Sequence, residues 1–360
     1  MTLTRRTLLI GGGAALLAGA ATGACSRGPD YDAVAEALWS QRPAGDLEAL
    51  VHHATLAANS HNAQPWRFRP TTDGVTILPD LSRVLPVADP DNHHLYVSLG
   101  CAAENLALAA GAAGRSAAVD FSAQGEGEVR IALGAEGTRD PLFEAVAARQ
   151  CTRSDYDGRA VPAEDLERLA QAAQRGGCEL LVIDDRPRIE QVLELVLAAT
   201  EAQVADPEFA DELKSWIRFN ARAAIETGDG LYSACSGNPT LPTFLGERLF
   251  GFVFKPKGEK DRYARQVRSS AGLAVVVSER DDAAHWVEAG RSYQRFALQA
   301  TALGIRHAHL NQPVEVASTR PALQALLGLG NRRPDLLLRY GYAPPMPRSL
   351  RRPVAVVLVA

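Results

Sequence analysis

Apolar and small residues recur at helical spacing through two long segments, Gly100–Gly114 and Gly290–Gly304, and both end on glycine, a natural helix stop. The segments repeat one another without gaps at an offset of 190 (290 − 100). Both glycine ends, Ala107-Leu108 with Ala297-Leu298, Ala110 with Ala300 and Ala112 with Ala302 coincide, and Val97 with Val287 extends the match. A helix with small residues on its faces is expected to lie buried against a partner. A second repeat lies upstream of each copy. Asp46-Leu-Glu-Ala-Leu50 opens a helix running to about Ala58, and Asp165-Leu-Glu-Arg-Leu169 opens another running to about Arg175, each with its Asp as N-cap. Two repeats in the same order predict an internal duplication.

Strand patterns punctuate these helices at Gly74–Leu78, Val129–Leu133, Cys178–Ile183, Leu273–Val277 and Val354–Val359. The prediction is an α+β chain in two halves, 31–135 and 140–360. Residues 205–268 have no counterpart in the first half and read as a lid-like insertion.

Composition changes this picture little. The chain has 360 residues, 46% hydrophobic and 22% charged, with a net charge of −4 and no basic block, so nucleic acid is not expected as a partner. The N-terminus changes it more. Arg5-Arg6 precede a short apolar run, Ile10–Ala21, in the manner of a twin-arginine export signal spanning residues 1–25. Thr22-Gly23-Ala24-Cys25 resembles a lipoprotein cleavage site, so the expected location is the periplasm or the outer face of the membrane, with a lipid anchor on Cys25 as one form. Cys101, Cys151, Cys178 and Cys235 form no metal or redox spacing and read as buried or loop thiols. The adjacent pairs His52-His53 and His93-His94 point apart along a regular element, so they read as surface or interface residues, and no metal site is expected. No Gly-rich dinucleotide fingerprint or nucleophile motif is visible.

Three segments carry candidate chemistry. In Asn59-Ser60-His61-Asn62-Ala63-Gln64-Pro65-Trp66, the groups of Ser60, Asn62 and Gln64 alternate ahead of a proline that ends the helical region. On the residues alone, a polar turn and a site for the edge of a flat ring stand equal. In Arg149-Gln150-Cys151-Thr152-Arg153 the two arginines would share a face if the segment were helical, a disposition suited to a phosphate. The tail offers Ser349, Arg351 and Arg352 ahead of Pro353.

These segments resemble motifs of the FMN-binding nitroreductase family: a Pro-Ser-x-x-Asn-x-Gln-Pro-Trp signature, an Arg-x-Ser/Thr-x-Arg segment, and a C-terminal basic pair before proline. The first signature position is Ala58 here, or Asn59 in the alternative alignment, and Cys151 stands where Ser or Thr is usual. The resemblance covers nearly the whole chain after residue 30 and is closest to the Acg-like branch, in which one chain carries two nitroreductase-like halves. It implies a nitroreductase-like fold duplicated as a pseudo-dimer, a monomer that needs no partner copy. It also implies FMN held by Ser60, Asn62, Gln64, Arg149, Thr152, Arg153, Ser349, Arg351 and Arg352.

The polar turn occurs only in the first half and the Arg segment only in the second, which predicts one site per chain. The implied activity is an FMN-dependent oxidoreductase acting on nitroaromatics, quinones or similar flat acceptors, with NAD(P)H or another donor. The competing reading is an FMN-binding or sequestering protein of the cell envelope without catalysis. It is motivated by export away from cytoplasmic NAD(P)H and by the insertion.

Overall fold

The computed structural model describes residues 30–40, 42–43 and 45–360. The export segment and Cys25 lie outside the described residues.

The first half contains helices α1 (Tyr31–Trp39), α2 (Leu47–Thr55) and α3 (His93–Ala112), with strands β1 (Trp66–Pro70), β2 (Gly74–Pro79), β3 (Ala117–Ser122) and β4 (Glu128–Leu133). The strands form an antiparallel sheet in the order β1-β2-β4-β3. Helix α4 (Ala163–Ala173), strand β5 (Glu179–Ile183) and helix α5 (Arg186–Ala205) open the second half. The insertion follows as α6 (Pro207–Trp216), β6 (Ile217–Arg218), α7 (Ala221–Thr227), β7 (Leu231–Tyr232), α8 (Thr243–Val253) and α9 (Pro256–Arg268). The chain then resumes with β8 (Gly272–Val277), α10 (Ala283–Ala302), β9 (Arg306–His309), α11 (Gln312–Glu315), α12 (Arg320–Leu327), β10 (Pro334–Gly341) and α13 (Val354–Val357). Its antiparallel sheet runs β5-β8-β10-β9.

The duplication is visible at the centre. Helices α3 and α10 pack along each other, α2 packs on α3, and α4 packs on α10. A methyl group at Gly100 would collide with the Val287 carbonyl oxygen, and one at Gly290 with the Val97 carbonyl oxygen. These pairs exchange under the repeat offset, so the crossing is a pseudo-two-fold. The two helices and both sheets share one core that includes Leu99, Leu106, Phe296, Leu298, Phe68 and Leu338. A separate core lies between the second sheet and α5 and α12, around Val192, Val275 and Leu337.

Three local expectations are corrected. The Asp46 side chain does accept the Ala49 N–H as an N-cap, but α4 starts at Ala163 and Asp165 sits inside its first turn. There a carboxylate complements the helix dipole instead of capping. Within the apolar run Val354–Val359, Val354–Val357 form a helical turn and strand pairing is reduced to one parallel bridge, Leu358 with Phe68, because a short buried run has no periodicity that separates the two. After that turn the Val359 N–H donates to the Phe68 carbonyl at 2.9 Å, so the tail of the second half ends on the first. Finally, of the surface and interface readings for the histidine pairs the surface one fails: His52, His53, His93 and His94 are buried, and His93 lies 3.0 Å from Asp335 of the second half.

Candidate functional site: a cavity between the two halves

Helix α2 ends in a turn whose shape is fixed by its own side chains. His61, Asn62 and Gln64 have φ of 49°, 53° and 54°. Each non-glycine residue in that left-handed region costs about 1 kcal/mol or more and persists only where the surroundings over-determine it. The Asn62 amide donates to the carbonyls of Gly230 and Leu350, both at 3.1 Å. The Gln64 amide donates to Gly228 at 2.9 Å and accepts the Arg352 N–H at 2.8 Å. The guanidinium of Arg351 donates to Thr55 at 2.7 Å, to Ala57 at 3.1 Å and to the Asn62 side chain at 2.8 Å. Arg149 donates to Leu56 at 3.1 Å. Two buried cations thus close the carbonyl end of α2, where the helix dipole favours positive charge. Burial pushes the Arg351 guanidinium down to about 9.

The nine candidate residues therefore separate. Asn62, Gln64, Arg149 and Arg351 are committed to holding the turn. Arg352 donates to Asp80 at 3.4 Å and Trp66 at 3.3 Å, Thr152 donates to Gln150 at 3.2 Å, and the Ser349 carbonyl accepts from the Trp39 indole at 2.9 Å. None of these seven lines the cavity next to the turn, whereas Ser60 and Arg153 do. The Arg segment is not helical: Cys151 makes a β-bridge with His307. Without the helical face, Arg149 and Arg153 diverge, one toward α2 and the other into the cavity.

The cavity measures about 370 Å³, within the range of small-molecule sites. Its walls come from both halves: Ala58, Ser98 and Cys101 from the first, Arg153, Tyr293 and His309 from the second. The insertion covers it with Phe219, Leu249, Phe250 and Phe254. Among the described residues no carboxylate pairs with Arg153, whereas the other arginine at the wall, Arg262, is paired with Glu259. Burial and the Arg153 charge push His61 down to about 4, which leaves its imidazole neutral at pH 7. Glu315, also at the wall, accepts from Gln203 at 2.7 Å, and burial raises its carboxyl to about 7.

Two clusters beside the cavity escaped the sequence. Cys151 Sγ lies 3.6 Å from the Tyr293 hydroxyl and 4.0 Å from His307 Nε2. Burial would push the thiol up, but hydrogen bonds to His307 and His309 hold it well below the usual thiol range. Its partners are more than a hundred residues away, so no local spacing could have signalled them. In the second cluster, ligand-type atoms of Asp89, His93 and His94 lie within 4.8 Å of one another. His94 Nε2 accepts from Asn311 Nδ2 at 3.3 Å, and the Asn311 oxygen accepts the Leu337 N–H. In a neutral His94 the proton therefore sits on Nδ1, 3.8 Å from Asp89 and 3.9 Å from Glu315, separations longer than a hydrogen bond.

The pseudo-symmetric position is filled. Under the repeat offset, the cavity residues Ser98 and Cys101 become Glu288 and Arg291. Arg291 pairs with Glu288 at 2.9 Å and Glu104 at 3.0 Å, and Arg175 lies 3.6–3.7 Å from the same two carboxylates. Glu288 packs against Gly176, where the polar turn would stand.

The turn of the first half and the Arg segment of the second thus meet at one cavity. The chain is 28% identical over 333 residues to a Mycobacterium tuberculosis H37Rv protein carried under the provisional name NAD(P)H nitroreductase Rv3131, covering 87% of this chain and 92% of that one. The chain is nitroreductase-like, in two halves. A second H37Rv protein, provisionally named NAD(P)H nitroreductase acg, is 24% identical over 323 residues, covering 86% of this chain and 93% of its own length. Among solved structures, the FMN-dependent nitroreductase NfnB from Mycobacterium smegmatis, in complex with NADPH, covers 56% of this chain and 86% of its own at 17% identity and a TM-score of 0.37. No family model matches the chain.

Proposed function

We propose that this cavity holds FMN and that the chain is an FMN-dependent oxidoreductase for nitroaromatic, quinone or similar flat acceptors, with NAD(P)H as donor. One observation carries the reading: the turn of the first half and the unpartnered Arg153 of the second meet at a single apolar-walled cavity. The residues fit the cofactor. Arg153 suits the phosphate, the Asn59–His61 turn offers polar groups for the ring edge, and the aromatic cover suits a flat ring. The relatives' nitroreductase names support the redox class.

FMN would supply the electron transfer, and the protein supplies binding, orientation and electrostatics. The insertion excludes water from the cavity. Neutral His61 hydrogen-bonds without adding positive charge. Glu315, half protonated near neutrality, holds a proton at the wall for an acceptor that takes up protons with its electrons. The proposal includes export by the twin-arginine route, which carries folded, cofactor-loaded chains. Arg5→Lys with Arg6→Lys should trap the precursor inside the cell, and normal export of that variant would count against it.

The test is anaerobic mixing of the flavin-loaded protein with NADPH while the flavin absorbance is followed. Bleaching of the oxidised band, and its return on adding a quinone, is expected. Oxidised flavin that persists with NADPH but is reduced by dithionite would favour a binding protein instead. Protein that takes up no FMN would overturn both.

A further inference from the structure

Among the described residues six large apolar side chains stand exposed, and four of them, Phe244, Leu249, Phe252 and Val253, lie on the eleven-residue helix α8. Phe244 and Phe252 are 73% and 76% exposed. With Arg248 they recur every fourth residue and so share one outward face. The other face of α8 is also apolar: Gly246 packs against the Phe219 ring, and Phe250 lines the cavity. A helix apolar on both faces is normally buried on both. Arg248 and Lys255 stand exposed at this surface, and neither has a carboxylate partner among the described residues.

The N-terminal side of the fold lands on the same insertion. Tyr31 and Ala35 of α1 pack with Ala224, Tyr232 and Cys235, and the Tyr31 and Tyr232 rings lie 4.4 Å apart. Asn220, the N-cap of α7, donates to the Leu241 carbonyl at 3.1 Å and the Thr243 hydroxyl at 3.0 Å, where α8 begins. Cys25, the candidate lipid-bearing residue, precedes Asp30 by five positions, a reach of at most about 18 Å. An anchored chain would thus hold the insertion close to the bilayer.

We propose that α8 is a membrane-docking helix. Phe244 and Phe252 enter the acyl boundary of an anionic bilayer, and Arg248 and Lys255 meet its headgroup phosphates. Because the inner face of α8 lines the cavity, docking turns the cavity toward lipid-soluble acceptors. That consequence rests on the oxidoreductase reading, whereas docking itself does not.

The test uses flotation of the full chain carrying Cys25→Ser, which removes the lipid anchor, with vesicles of phosphatidylglycerol and phosphatidylethanolamine. Phe244→Ser with Phe252→Ser, both at exposed positions, should leave the melting curve and flavin content unchanged and lower vesicle partitioning at least about tenfold. Arg248→Glu with Lys255→Glu should weaken binding to these vesicles but not to phosphatidylcholine. Equal flotation of parent and phenylalanine variant would overturn the proposal, since binding would then come from elsewhere, such as the apolar N-terminal run. A parent that does not float, but sediments as a dimer that the phenylalanine variant breaks, would overturn it in favour of a second copy on this face.

Discussion

Gly100 and Gly290 occupy equivalent places on the two central helices, and each lies against a carbonyl of the opposite helix, Val287 for one and Val97 for the other. The close crossing depends on the absence of a side chain at both. Gly100→Ala and Gly290→Ala should each destabilise the chain by roughly 1–3 kcal/mol or more, because the obstacle is backbone and cannot move aside like a side chain. The double variant should lose less than the sum, since one separation of the helices relieves both collisions. Urea unfolding of the three variants measures this, and wild-type stability in either single variant would contradict the crossing.

The arginines should divide by role. Arg153→Ala should weaken FMN binding by roughly 10- to 150-fold while leaving riboflavin binding nearly unchanged, as expected for a charge-assisted contact worth about 1.5–3 kcal/mol. Arg351→Ala should instead lower the melting temperature and affect both ligands alike, because its guanidinium holds the end of α2. Titrations with the two flavins distinguish these outcomes. Selective loss of FMN in Arg351→Ala would return that residue to the phosphate site.

Glu315 gives a pH prediction with a definite sign. Burial raises its carboxyl from 4.5 to about 7, so the folded state favours the protonated form. The stability this contributes is complete below about 4.5 and is lost as the pH rises through about 7. Glu315→Gln keeps a neutral group that can still accept from Gln203. The variant should match wild type near pH 4.5 and exceed it at pH 8, by a few kcal/mol at most. Melting curves across that range check the prediction, and a variant less stable than wild type at pH 8 would contradict it.

Much of the architecture was legible because a duplication leaves a gapless repeat, and because small residues at Gly100 and Gly290 mark a close crossing directly. Four of the five expected strands formed. The tail did not, since Val354–Val359 is short, apolar and without period. The candidate site was legible by segment more than by side chain. The polar turn and the Arg segment do meet, yet the Asn62 and Gln64 amides donate to the carbonyls of Gly230 and Gly228, and Arg351 donates to the Asn62 side chain and to the carbonyls of Thr55 and Ala57. Sequence spacing cannot say whether an amide faces a ligand or the chain's own carbonyls. Cys151, His307 and Tyr293 were unreadable for a related reason: a β-bridge between residues 151 and 307 brings them together.

One FMN is proposed to lie in a cavity built from both halves of a single chain. Its counterpart across the pseudo-two-fold is closed by Glu288, Arg291, Arg175 and Glu104, ion-paired in the place a second flavin would need. Emptying it would leave buried charges without partners, a cost of several kcal/mol. Native mass spectrometry of the FMN-reconstituted protein decides the matter in one spectrum. A monomer carrying one FMN is expected. Two FMN per chain, or a dimer whose flavin is lost on dilution to monomer, would contradict it.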